Sequence, residues 1–403
     1  MQLAWGRARG QEATGRRVAV TGLGVVVRCG IGKDAFWEGL CAPAPVGDRR
    51  ITEFDPTVWF GPKEVRRVDR FAQLTVASAA MALEDAGSVD PDPDRAGVIM
   101  GTGVGGIETL EDQFVVSQEK GPDRVSPFLV PMMMANAGSA AVSMRNGWRG
   151  PCETVATACA AGAHAIGNGA RLVASGRCEV VLAGGAEAAM IPVTLSGFGN
   201  MTALSKSGVS RPFDLERDGF VLAEGSAALL LEDLDRARAR GAPVYAELAG
   251  AASTADAHHI TAPAPGGTGA AACMEEALDD AGMTPCHIAH INAHGTSTTL
   301  NDAAEAEAIN KVFGTPGPVL TSIKGVTGHA LGAAGAIEAV ASVLSIERRT
   351  IPPTAGHTTP DPELRLDIVT GGPRPWEPGP VLSNSFGFGG HNGCLIFVPT
   401  AED

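Results

Sequence analysis

Tyrosine occurs once in this sequence and aromatics together make up only 5% of it, which excludes a core built on large rings. With 44% hydrophobic residues and 52 glycines, the interior has to be assembled from Ala, Val, Leu and Gly, with helices and sheet packed closely. Positive charge is also scarce. Lys and Arg number 31 against 45 Asp and Glu, a formal net charge of −14, and such a balance repels phosphate backbones and excludes nucleic acid as a general partner. No CxxC pair occurs among the cysteines at 29, 41, 152, 159, 178, 273, 286 and 394, so no metal knuckle is expected. Several stand in small or apolar surroundings, as buried free thiols do in a reducing cytoplasm. No apolar run reaches the roughly eighteen residues that span a bilayer, so no membrane segment is expected. The N-terminal MQLAWGRARGQEATGRR lacks the apolar stretch of a secretory signal. Its scarcity of acids leaves a transit peptide open, and a disordered lead-in over residues 1–16 is the expectation.

What is there is α/β patterning. The 403 residues have room for two domains or one large duplicated body. VAVTGLGVVV (18–27) is a near-continuous apolar run of the kind that forms a strand buried on both faces. Helical spacing follows at 71–87, a strand running into a glycine turn at 96–106, and buried strands at 179–188 and 226–234. After Arg240-Gly241-Ala242-Pro243 the order restarts. A strand at 244–253 leads to a helix at 267–282, a strand into a loop at 287–296, a helix at 304–314, a long small-residue helix at 329–349, and two strands around a glycine turn at 381–398. This alternation argues for a layered α/β fold. Its restart predicts two halves, 17–243 and 244–403, alike in element order.

Cys159 lies in VATACAAGAHAIGNGARLVASG, where Ala and Gly at helical spacing place the thiol at the first turn of a helix. A helix N-terminus favours a thiolate and offers backbone N–H groups to an oxyanion. Taken alone, such a cysteine is more often an inert buried thiol. His294, in NAHGTST, and His329, in SIKGVTGHALGAAGA, each stand where a strand or loop meets a glycine turn. Either alone reads most simply as a structural histidine. Together with a cysteine at a comparable junction they fit Claisen chemistry, in which a thiolate holds an acyl chain and neutral imidazoles stabilise a developing enolate. Lys63, Arg66, Arg67 and Arg70 form a local basic cluster, read on charge alone as a solvated helix face.

The motifs TACAAG (157–162), RPFDLERDGFVLAEG (211–225), NAHGTSTTLND (292–302), SIKGVTGHALGAAGA (322–336) and SNSFGFGGHNG (383–393), with VTGLGVV at 20–26, make the reading specific. Carrying them, the sequence resembles the elongating β-ketoacyl synthases of the thiolase superfamily, of the bacterial fatty-acid type II kind, along essentially its whole length. The resemblance implies a duplicated five-layer α/β/α/β/α fold and a cytoplasmic, dimeric acyltransferase. No cofactor or catalytic metal of its own is implied, because the phosphopantetheine arm arrives on the acyl carrier protein. It further implies a triad of Cys159, His294 and His329, with Lys324 orienting the network, and an oxyanion hole from the N–H groups of Cys159 and Phe388. Phe386 and Phe388 would gate the acyl pocket, Thr296 and Thr298 would bind the pantetheine arm, and Val104 would line the pocket, its small size favouring medium or long chains. Phe198 and Met132-Met133-Met134 fall near pocket or interface positions. The same resemblance recasts Lys63, Arg66 and Arg67 as the docking patch for the acidic carrier protein.

The chain departs from the pattern between Phe54 and Lys63, where FDPTVWFGPK is much shorter than in the usual elongation enzymes. That raises a type II polyketide or polyene pathway, in which the synthase pairs with a chain-length-factor homologue, beside primary fatty-acid synthesis. A non-catalytic chain-length factor is the alternative reading, and Cys159 with both histidines argues against it. A thiolase would carry a second reactive cysteine in the C-terminal glycine turn, where Phe386 and Phe388 stand instead. An initiating synthase would show Asn in place of one histidine.

Overall fold

The computed structural model describes residues 16–400; the expected lead-in over 1–16 falls outside them but for Arg16. The ten longer strands of the main sheet system are β1 (Val18–Val27), β2 (Ala96–Gly101), β3 (Cys152–Val155), β4 (Val180–Glu187), β5 (Gly225–Asp233), β6 (Ala246–Ala255), β7 (His290–Asn292), β8 (Val319–Thr321), β9 (Val381–Gly387) and β10 (His391–Val398). They run in the order β3-β2-β4-β5-β1-β6-β10-β9-β7-β8. Read outward from the centre, each half has the same order and the same directions. Strands β2, β3 and β4 are mutually parallel while β5 and β1 are antiparallel, and β7, β8 and β9 are parallel while β10 and β6 are antiparallel. The two halves of the sheet join where β1 pairs with β6, at Ala19–Glu247 and Val20–Ala246.

Every residue of β1 is buried, which is why its sequence reads as an unbroken apolar run rather than an alternation. Helix α1 (Arg70–Asp85) covers the outer face of β1 and β5. Helices α3 (Ala161–Ala174) and α6 (Ala334–Glu347) lie between the sheets, and α4 (Thr268–Ala281) covers β6 and β10. The layering is thus α/β/α/β/α. In α6 every residue from Ala334 to Ile346 is buried, Glu338 and two serines among residues that are otherwise small or apolar on all sides. Helix α5 (Thr299–Phe313) contributes to the site, and α2 (Ile107–Lys120) follows the turn after β2. Among the described residues no helix is long and apolar enough to cross a membrane.

One core residue carries a measurable signature. His290, on β7, is fully buried against the edge of the Trp376 ring, with centroids 5.6 Å apart. Neither of its ring nitrogens has a hydrogen-bond partner, and burial lowers its pKa to about 3. The unfolded chain therefore takes a proton that the native ring refuses. Stability is full above the ordinary histidine pKa and falls by about 1.4 kcal/mol per pH unit as the pH drops from there toward the folded value. A His290→Leu variant is expected to gain on the wild type by that slope in acid. Parallel denaturation curves across this range would sink the assignment.

Candidate active site

Cys159 sits in a tight turn, Ala158–Ala160, that opens α3, so the thiol precedes the helix proper instead of occupying its first turn. Ala158 takes φ 49, a left-handed conformation that costs a residue with a Cβ and recurs at functional elbows. The segment after Cys159 approaches the segment after His329 backbone to backbone. A Cβ on Gly162 would stand 2.8 Å from Ala336 N and 3.0 Å from Gly332 O, so glycine there is what lets the two halves bring their chemistry together.

His329 is held like a strand residue. Its N–H donates to Val221 O (2.8 Å) and its carbonyl accepts from Ala223 N (3.0 Å). The helix expected over 329–349 therefore starts at Ala334, because His329 already spends its backbone on the 221–223 segment. Its Nε2 lies 3.0 Å from Cys159 Sγ, and the Phe220 ring stands perpendicular to it at 5.2 Å.

His294 follows β7. Its N–H and that of Gly295 donate to the Glu305 carboxylate on α5 (2.8 and 2.7 Å), and Asn384 donates to the same carboxylate at 3.1 Å. Lys324 Nζ reaches His294 Nδ1 at 3.3 Å and donates to His294 O at 2.6 Å, while pairing with Glu338 on α6. An ammonium cannot accept, so Nδ1 is the acceptor and Nε2 carries the proton. The two imidazoles cross nearly at right angles, centroids 5.4 Å apart.

Burial decides the charges. It pushes the Cys159 thiol up to about 12, and Lys324 and the Phe388 N–H pull back less. The thiolate expected from the helix terminus is not the resting form, because the desolvation of a buried anion outweighs the dipole. Burial, helped by Lys324, also holds His294 and His329 well below the ordinary histidine value, so both rings are neutral. Glu338 is raised by burial to about 7 against the pull of Lys324.

These groups open on a cavity of about 530 Å³. Cys159, His294, His329, Thr296, Thr298, Val104, Phe198, Phe386 and Phe388 all line it; Lys324 stands behind His294. Thr296 and Thr298 share a hydroxyl contact of 2.9 Å. Phe198 lies 6.5 Å from Phe388, centroid to centroid. Met132, Met133 and Met134 are not part of the lining. Lys63, Arg66 and Arg67 are exposed, apart from the cavity lining, and Arg67 lies 4.7 Å over the Phe128 ring. Arg70 is not part of that face, since it turns inward to a bidentate pair with the buried Glu224 (2.8 and 2.7 Å).

Sequence reasoning missed Glu305, Glu338, Phe220 and Glu187. Of the two that support the histidines, Glu338 had a signal: it is the one charge in the small apolar run GAAGAIEAVASVL, and a lone charge on an all-buried helix requires a partner.

Two family models match the chain, the N-terminal domain of the β-ketoacyl synthases over residues 43–237 and their C-terminal domain over 245–358. A 3-oxoacyl-[acyl-carrier-protein] synthase 2 of Synechocystis sp. is 43% identical over 406 residues, covering 95% of this chain and 98% of the relative. Among solved structures, the ishigamide ketosynthase/chain length factor superposes with a TM-score of 0.90 at 34% identity, over 96% of this chain and 100% of that one. A ketosynthase bound to a hexaketide, in complex with its type II polyketide acyl-carrier protein, gives a TM-score of 0.87 at 32% identity over the same shares.

Proposed function

The chain belongs to the β-ketoacyl synthase family, and from that premise we propose that its elongation chemistry runs on Cys159, His294 and His329. The enzyme is an acyltransferase that condenses malonyl-carrier with an acyl chain, losing CO₂ and giving a β-ketoacyl-carrier two carbons longer. Synthases of this family use no cofactor of their own, and the pantetheine arm comes on the carrier protein. The observation that carries the residue assignment is the 3.0 Å approach of His329 Nε2 to Cys159 Sγ at the head of the cavity.

In the first half-reaction His329 takes the thiol proton as sulfur attacks the acyl thioester, and returns it to the departing pantetheine sulfur. The tetrahedral oxygen is met by the N–H groups of Cys159 and Phe388. In the second, malonyl-carrier loses CO₂, and the electrons of the broken C–C bond pass to an enolate whose oxygen is met by the Nε2–H of His294 and by His329, which has by then taken up one proton from solvent at Nε2. The enolate carbon attacks the acyl carbonyl, and Cys159 leaves as its sulfur takes that proton from His329. Lys324 fixes the His294 tautomer, Phe386 and Phe388 gate the pocket, Thr296 and Thr298 take the pantetheine arm, and Val104 and Phe198 wall the acyl chain.

The carrier protein docks on Lys63, Arg66 and Arg67, whose exposed charges suit an acidic partner. A second subunit, a copy of this chain or a chain-length-factor homologue, covers the exposed apolar side chains Leu110, Phe114, Val130, Met134 and Val193. The edge strand β3, with Cys152 and Glu153 exposed, supports this, since an unpaired edge is a template for another chain. The division at 243/244 rests on the repeated strand order. A cytoplasmic setting is supported by the free state of all eight cysteines.

Intact-mass spectrometry with acyl-carrier proteins, followed by malonyl-carrier, tests the assignment. The acyl mass is expected on the peptide bearing Cys159, with a product two carbons longer after the second addition. A Cys159→Ala protein is expected to stay unacylated, and label on another residue would refute the nucleophile.

A further inference from the structure

The last residue of β4 has no part in the chemistry above, yet it joins two walls of the cavity. Glu187 is fully buried. Its Oε2 accepts from Gly103 N at 2.7 Å and Gly332 N at 3.0 Å, and its Oε1 from the Thr102 hydroxyl at 3.1 Å. The Val104 N–H also donates to the carboxylate. Thr102 in turn accepts from Gly105 N at 3.2 Å. One carboxylate thus gathers the turn after β2, which presents Val104 to the cavity, and the turn after His329, where Leu331 stands at φ 42. The turn after β2 belongs to no helix or strand, and the turn after His329 is a single 3₁₀ turn, Leu331–Ala333, ahead of α6. The Gly332 N–H is buried and, losing this acceptor, would face no water.

We propose that Glu187 is a positioning residue that fixes the acyl-cavity wall at Val104 and thereby sets which chain lengths the enzyme accepts. This rests on the reading of Val104 as part of the acyl pocket. The carboxylate is suited to the task because every contact it makes is a donor aimed inward. It therefore holds the turn at a fixed distance from β4, and a chain pressing against Val104 presses against that anchor. Glutamine can still accept the two N–H bonds at one oxygen but turns its NH₂ toward Thr102, whose hydroxyl can reverse to accept. Alanine leaves all the donors unmet.

The test is the rate of Cys159 acylation by carrier proteins bearing a graded series of saturated chains, read as the ratio between preferred and longest chains so that a uniform loss cancels. Glu187→Ala is expected to shrink that discrimination about tenfold, the scale of one lost buried hydrogen-bond set. Glu187→Gln is expected to restore most of it. Thr102→Val, which removes one contact, should shift the ratio in the same direction by less and serves if the alanine variant fails to fold. A proportional loss at every chain length in these variants would overturn the proposal. Val104→Phe separates the two readings. If it changes the profile while the Glu187 and Thr102 variants do not, the pocket stands and the positioning role falls. If Val104→Phe leaves the profile unchanged, the pocket assignment itself is wrong.

Discussion

A His329→Ala enzyme is expected to lose acyl transfer along with condensation, whereas His294→Ala loses condensation and keeps acyl transfer. The asymmetry follows from the geometry. Of the two histidines only His329 touches the thiol, Nε2 to Sγ at 3.0 Å, and burial raises that thiol to about 12. At neutral pH about one molecule in 10⁵ then carries a thiolate without help, so removing the base should slow acylation by about 10²–10⁴-fold. His294 stands beside His329 and is bonded to Lys324, with no contact to sulfur; its N–H is positioned for an enolate oxygen only. The pH dependence separates the two roles. Because the thiol ionises far above neutrality, acylation of His329→Ala should rise about tenfold for each unit of added pH. The wild type, with a base in place, should show a shallower rise. Single-turnover acylation followed by intact mass measures both, and a His329→Ala enzyme that acylates at the wild-type rate at pH 7 would remove His329 from the first half-reaction.

Much of this site was legible because the chemistry sits at junctions that composition marks. Cys159, His294 and His329 each border small residues, and the shortage of aromatics announced the backbone contact through which Gly162 meets Ala336 N and Gly332 O. The strands were legible for the same reason, since β1, β4 and β5 are buried along almost their whole length and read as apolar runs. What sequence pattern did not reveal are the tertiary interactions that redirect individual residues. Arg70 belongs by position to a basic face, but Glu224, far along the chain, draws it inside. The start of α6 was misplaced by five residues from 329 to 334 because helical composition continues through a turn whose backbone is committed to Val221 and Ala223. The thiolate expected from a helix terminus gave way to a burial that only the folded chain creates. Glu305, which fixes the His294 backbone, lies on a helix whose alternating Glu and Ala read as a solvated surface.

Replacing Lys324 with methionine is expected to damage stability and decarboxylation together, and a second substitution at Glu338 separates the two. Lys324 and Glu338 are each 1% exposed, and breaking a buried pair by removing one partner costs about 3–5 kcal/mol. Glu338 is already raised to about 7 with its cation present. Without it the carboxyl remains protonated in the fold to still higher pH. The folded pKa then lies above the unfolded one, so stability is retained in acid and lost as pH climbs above the ordinary glutamate value. The Lys324→Met penalty should therefore grow with pH, whereas in the double variant Lys324→Met/Glu338→Gln, which buries no charge at this position, the added pH slope should vanish and most of the stability return. Decarboxylation should not return with it. The Lys324 ammonium at 3.3 Å is the donor that keeps the proton of His294 off Nδ1; once it is gone the imidazole can present either nitrogen to the enolate, and a loss of about 10²-fold is expected from a disoriented proton donor. A double variant that recovers both stability and malonyl decarboxylation would reduce Lys324 to a structural counter-ion. Recovery of stability alone would tie the lysine to the tautomer of His294 and leave Glu338 as the group that makes a buried ammonium tolerable.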